Sequence, residues 1–210
     1  RWLTTNQRST LMKLPIKRTS GKVDLSELRM LLYGPPKIGK TTLLSGFPDT
    51  LLLATEKGYQ ALKVYALDIK SWEDFVKAVD LIEEGKHQYK TIGIDTADIL
   101  ANLCLDYVCG KLDISHISEE DYGKGYDVFI KTFEKELNRL FMLPYGLILT
   151  SHTKTVELTS RVGKITKTVP TLSNQTRRVI VPKVSAIGFM GVKTVKIDKN
   201  TYFEKRYLSF

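Results

Sequence analysis

Two cysteines in 210 residues and no apolar run approaching the ~20 residues of a membrane-spanning helix set aside several classes of protein at once, and no secretory signal peptide is expected. Cys104 and Cys109 share one segment of helical pattern and have no His or Cys neighbour at metal-ligand spacing. They are expected to be reduced, packing residues of a cytoplasmic chain, and redox chemistry is not expected. Internal repeats and low-complexity tracts are also missing. Acids are the scarcer charge, 23 against 32 Lys and Arg, for a net charge of +9. The deficit is local: residues 153–183 hold Lys154, Arg161, Lys164, Lys167, Arg177, Arg178 and Lys183 against Glu157 alone. Such a stripe is either the footprint of a polyanionic partner or a solvated surface loop. With 42% hydrophobic and 26% charged residues the composition is that of a soluble globular protein, and the length suits one α/β domain with an appended segment.

What the sequence does contain is a loop motif around which the rest is arranged. Residues 31–42 read Leu-Leu-Tyr-Gly-Pro-Pro-Lys-Ile-Gly-Lys-Thr-Thr, a G-x-x-x-x-G-K-[ST] pattern between an apolar run at 29–33 and a helical pattern from Thr41. Gly34 and Gly39 allow the backbone to wrap closely around an anion, and Pro35-Pro36 stiffen the loop by fixing φ. The unpaired N–H groups that open the following helix favour phosphate. Gly34, Pro35, Pro36, Lys37, Ile38, Gly39, Lys40, Thr41 and Thr42 are therefore the expected nucleotide-binding residues, with ATP and Mg²⁺ as the bound species. Lys40 is expected at the β/γ oxygens and Thr41 at the metal.

Three later apolar runs end on polar residues. Residues 51–55 lead to Glu56, 91–94 to Asp95, and 145–150 to Ser151 and His152. Alternation of such strands with helical segments predicts a parallel sheet, and the carboxyl edge of a parallel sheet is where open α/β folds hold ligands. Glu56, Asp95 and His152 are thus expected beside the loop, with Asp95 sharing the metal with Thr41. Asp98, one helical step further, reads as a helix N-terminal charge. A short strand is predicted at 64–69. Ser71-Trp72-Glu73-Asp74 resembles a capping box opening a helix that places Trp72, Phe75, Val76, Val79 and Ile82 at core spacing until Gly85. A polar loop is predicted at 110–125, followed by an amphipathic helix with Phe129, Phe133, Leu137, Leu140 and Phe141 on one stripe and Pro144 as its stop. A projecting β-hairpin is predicted at 155–169 around Arg161-Val162-Gly163-Lys164, then strands at 185–191, 194–197 and 206–210 with a turn at 198–200. Residues 1–11 are polar and patternless, and Met12 is a candidate natural start.

Taken together, the loop at 32–42 and the stretches 52–58, 92–96 and 147–154 resemble RecA-like P-loop ATPases, most closely the phage-type AAA-domain proteins that include RecA-like single-strand annealing proteins. In AAA+ enzymes the activating glutamate directly follows the Walker B aspartate, whereas Asp95 is followed by Thr96. RecA-like proteins carry that glutamate on the strand after the P-loop helix, where this chain has Glu56. They place a γ-phosphate-sensing Gln or His where this chain has His152, and their second DNA-binding loop follows at once. The resemblance implies an α/β fold of the RecA-like P-loop NTPase type: a mostly parallel central sheet flanked by helices, with a C-terminal antiparallel β extension. It also implies catalytic roles for Glu56, Lys40 and His152, a positive charge reaching across a subunit interface from Arg177, Arg178 or Lys183, and a homo-oligomer in a ring or filament. Lys154, Arg161, Lys164, Lys167, Arg177 and Arg178 become the expected contacts to single-stranded DNA, in bacterial or phage-infected host cytoplasm.

The expected organisation is an N-terminal arm at 1–24, an NTPase core at 25–152, a basic loop or hairpin at 153–183 and C-terminal strands at 184–210 completing the same domain. Two rival functions stay open at this level: a P-loop kinase acting on a small molecule, for which Arg177-Arg178 would supply a lid, and a nucleotide-switched module whose basic loop docks a protein.

Overall fold

The computed structural model describes residues 16, 24–119, 123–160, 163–196 and 202–210, with only the backbone described at Leu158 and Ser160. The arm at 1–11, the candidate start at Met12, Arg161 at the hairpin tip and the turn at 198–200 lie outside these residues. In chain order the strands and helices are β1 (Arg29–Tyr33), α1 (Lys40–Leu44), β2 (Thr50–Ala54), β3 (Tyr65–Asp68), α2 (Trp72–Glu83), β4 (Thr91–Asp95), α3 (Ala97–Leu112), α4 (Lys124–Met142), β5 (Gly146–Ser151), β6 (Thr153–Ser160), β7 (Gly163–Pro170), α5 (Asn174–Ile180), β8 (Ala186–Lys196) and β9 (Tyr202–Ser209).

Seven strands form one sheet in the order β3-β2-β4-β5-β1-β8-β9. All neighbours pair in parallel except β8 and β9, which pair antiparallel. This is an α/β P-loop NTPase architecture. The central strands β2, β4 and β5 are buried along their whole length, which explains why they read as continuous apolar runs rather than alternating ones. One face of the sheet, through Leu31, Leu53, Ile92, Ile94, Leu147 and Leu149, packs under α2, α3 and α4. The other face, through Met30, Leu32, Leu52 and Ile148, packs against Leu44 of α1.

The helices form where local chemistry favours them. Ser71 caps α2 by accepting from the Asp74 amide at 3.1 Å, and Asp74 accepts from the Lys70 amide at 3.2 Å, so the reciprocal bond lands one residue earlier than in a strict capping box. Trp72, Phe75, Val79 and Ile82 are buried, as their spacing predicts, and Phe75 and Phe133 are fully enclosed. Burying each such ring contributes about 1.5–3 kcal/mol. Arg139 of α4 clamps α2, donating to Glu83 at 2.9 Å and Asp80 at 2.6 Å as well as to Glu136 at 2.6 Å on its own helix. These hydrogen bonds raise the guanidinium's pKa further above its ordinary value, Glu83 first and Asp80 next.

Three expectations are corrected. The loop predicted from residue 110 begins later, because α3 runs to Leu112 and stops at Asp113, whose left-handed φ of 55° turns the chain. The strands predicted at 185–191 and 194–197 are one strand, β8; its outer half is exposed, so the interruption seen in the apolar pattern marks solvent and not a break. Helix α5 was not predicted. Its signal is Ser173, which accepts from the Thr176 amide at 3.1 Å as an N-cap.

Candidate nucleotide site

The topology brings the strand tips together. β5 stands between β1 and β4, and Tyr33 is in register with Ser151 while Ala54 is in register with Asp95. The chain leaving β1 is held to the sheet by the Gly34 amide, which donates to the Ser151 carbonyl at 3.2 Å, and the chain leaving β2 by the Thr55 amide, which donates to the Asp95 carbonyl at 2.8 Å. The loop between β1 and α1 then turns back over the carboxyl edge. Its two motif glycines are needed for different reasons. Gly39 has φ of 106°, in the left-handed region. At Gly34 a β-carbon would come within 2.7 Å of the Met190 carbonyl oxygen, so only glycine lets the loop leave beside β8.

A cleft of about 380 Å³ lies between this loop and the tips, lined by Pro36, Lys37, Gly39, Lys40, Thr41, Thr42, Glu56, Gly58, Asp95 and His152. Lys40, 6% exposed, donates to the carbonyls of Gly34 at 2.9 Å and Pro35 at 3.0 Å. Burial holds its ammonium below the ordinary lysine pKa, against the opposing pull of Asp95, Glu56 and Asp98. Its Nζ also lies 3.4 Å from Nδ1 of His152, whose Nε2 lies 3.0 Å from Oε1 of Glu56. An ammonium can only donate, so Nδ1 accepts, the ring proton is on Nε2, and Nε2 donates to Glu56.

Asp95 is 4% exposed, and both its oxygens are engaged by hydroxyls: Thr41 Oγ1 donates to Oδ2 at 2.6 Å and Thr150 Oγ1 donates to Oδ1. The Thr41 hydroxyl and a single oriented carboxylate are a donor set that fits Mg²⁺, which takes one or two carboxylates plus substrate phosphates and water rather than an all-protein cage. No group of three or more His, Cys, Asp or Glu at metal-binding distance occurs among the described residues. The residue after Asp95 is Thr96, fully buried, whose amide donates to Thr55 Oγ1 at 2.7 Å; the carboxylate near the cleft comes from the neighbouring strand as Glu56.

Of the nine residues expected at the loop, Ile38 has its side chain in the core beneath α1, leaving its backbone for any ligand. Asp98 is more than a helix-terminal charge. Its Oδ1 accepts from Ser151 Oγ and its Oδ2 from the His152 amide, both at 2.9 Å, so α3 fixes the tip that carries His152. Thr150 and Gly58 were also missed; Thr150 was hidden inside an apolar run and Gly58 in a polar turn.

The expected basic stripe is divided. Lys154 and Lys167 are exposed on the β6–β7 hairpin, while Lys164 lies 3.8 Å from Glu157. Arg177 and Arg178 stand on α5 beside a groove with Asn174, Val181 and Pro182, away from the cleft residues. Lys183 donates to Glu134 at 2.6 Å and to the Val179 carbonyl at 3.2 Å. No helix among the described residues is long and apolar enough to cross a membrane.

No curated protein matches the chain. A family model described as an AAA domain matches residues 26–210, which takes in the whole sheet, the loop and every side chain that faces the cleft. The chain accordingly belongs to the AAA-domain family, with the nucleotide-binding ATPase activity that membership carries.

Proposed function

We propose that this AAA-domain protein is a RecA-like, DNA-stimulated ATPase that acts on single-stranded DNA in phage-type recombination or replication. The observation that carries this reading is the double engagement of His152. Its ring joins Glu56 and Lys40, and its carbonyl accepts from the Thr171 amide at 3.0 Å, at the root of the basic hairpin. A change at the γ-phosphate is thereby felt at the hairpin with no element between.

In this reading the loop amides and Lys40 neutralise the charge that develops on the phosphoryl group, and Glu56 orients the attacking water. Thr41 and Asp95 would hold Mg²⁺, which would supply further positive charge to the phosphates. The active form is a homo-oligomeric ring or filament in which Arg177 or Arg178 reaches a neighbour; neither makes an ion pair among the described residues, whereas Lys183 is already engaged within the chain. The kinase alternative has Arg177 and Arg178 as its lid; on α5 they stand beside a groove with Asn174, Val181 and Pro182, and the assay below separates the two readings.

Measuring ATP turnover with and without single-stranded DNA, with phosphorylated small-molecule products assayed in parallel, tests the proposal. Turnover raised several-fold by single strands is expected. Turnover indifferent to DNA would overturn it in favour of a protein-docking module, and a phosphorylated product in favour of a kinase.

A further inference from the structure

One cation at the loop belongs to neither the motif nor the strand tips. Arg206 sits on β9, opposite Val192 of β8. Side chains alternate along a strand and cross-strand partners share a face, so Arg206 projects from the same sheet face as Met190, which packs with Leu44 of α1. Its Nη1 lies 3.3 Å from where a β-carbon on Gly39 would stand. The guanidinium is exposed and makes no hydrogen bond or ion pair among the described residues, although Lys40 and Lys37 occupy the same loop. Val192 stands opposite Arg206, and Glu204, two residues back on the same face, makes no ion pair with it among the described residues, so the arginine can take an anion held at the loop beside Lys37 and Lys40.

The strand order says which part of a nucleotide that anion is. Glu56 follows β2, Asp95 ends β4 and His152 follows β5, and all three strands lie on one side of β1; β8 and β9 lie on the other. The end of the nucleotide to be cleaved faces the acids and the histidine, so the end nearer the nucleoside faces β9. We propose that Arg206 is a nucleotide-binding residue acting within its own chain, where it holds the non-transferred phosphates, the α-phosphate first. The inference rests on nucleotide binding at the Gly34–Thr42 loop. It makes a specific demand: the arginine serves ATP and ADP alike and contributes little to the chemical step.

The test is titration of Mg-ATP and Mg-ADP, with steady-state turnover, on the parent, Arg206→Ala and Arg206→Lys. Loss of one charge-assisted contact should weaken both nucleotides and raise KM about tenfold, with kcat within about twofold of the parent and partial recovery in Arg206→Lys. Added Lys40→Ala protein, which keeps its own Arg206, should not rescue Arg206→Ala. Unchanged affinity for both nucleotides would overturn the proposal. So would a fall in kcat with ADP affinity intact, which would put the arginine at the γ-phosphate, and so would rescue by the Lys40→Ala protein, which would make it a residue acting across subunits. Failure of the nucleotide site itself has a different signature: Lys40→Ala would bind both nucleotides as the parent does.

Discussion

His152 Nε2 donates to Glu56 at 3.0 Å while its Nδ1 faces Lys40 at 3.4 Å, so a single ring links the carboxylate and the lysine that line the cleft. A glutamine at position 56 keeps an oxygen that accepts from Nε2 but cannot take a proton from water. Glu56→Gln is therefore expected to bind Mg-ATP as the parent does while turnover falls by a factor on the order of 10² or more. Equilibrium binding and steady-state hydrolysis on the same preparation check this, and unaltered turnover would remove Glu56 from its role.

Asp98 acts at one remove. Both its oxygens are used to hold Ser151 and the His152 amide, so Asp98→Ala frees the tip of β5 without touching the cleft. Two hydrogen bonds to a carboxylate suggest a stability loss of about 2–4 kcal/mol. Because His152 is left in place but unsupported, kcat should fall while KM for ATP stays near the parent value, with Asp98→Asn intermediate. A loss of stability with kcat unchanged would reduce Asp98 to a purely structural residue.

Lys40 gives a pH signature. Its folded pKa lies below the ordinary lysine value of 10.5, with burial the leading cause, so the unfolded chain binds this proton more tightly than the folded one. Stability contributed by position 40 therefore rises with pH across the window between the lowered folded pKa and 10.5, and is lowest below it. Denaturant unfolding of nucleotide-free parent and Lys40→Met as a function of pH should show the parent gaining on the variant as pH rises towards 10.5. A gain in the opposite direction would mean that the neighbouring acids, not burial, dominate at this lysine.

The loop, the three tips and both amphipathic helices were legible because each depends on chemistry confined to a few consecutive residues. Gly39 must adopt φ of 106°, Ser71 must cap α2, and a strand covered on both faces must be apolar throughout. What escaped was non-local. Asp98 meets Ser151 across 53 positions, Thr150 reaches Asp95 across 55, and Arg206 approaches Gly39 only because β9 folds back beside β8. The basic run at 153–183 was legible as charge but not as surface, because pairing in the hairpin decides which lysines share a face.

That pairing yields the last prediction. Lys154 is opposite Val169 and Lys167 opposite Val156, so these two lysines project from one face of the hairpin; Lys164, opposite Thr159, shares the other face with Glu157. Both members of the Lys164–Glu157 pair are largely exposed, at 77% and 68%, so the pair adds little stability, but it cancels the charge of its face. The first face is left with two uncompensated cations over a hairpin in which only Val169 and Pro170 of β7 are buried. Single-stranded DNA should therefore lie on the Lys154 and Lys167 side. Lys154→Ala with Lys167→Ala should flatten the dependence of log affinity on log salt by about 1.4, at about 0.7 per lost phosphate contact, while Mg-ATP binding without DNA is unchanged. Lys164→Ala should change the slope by less than half as much. Equal effects from the single and the double variant would mean that DNA responds to the total charge of the hairpin and not to one of its faces.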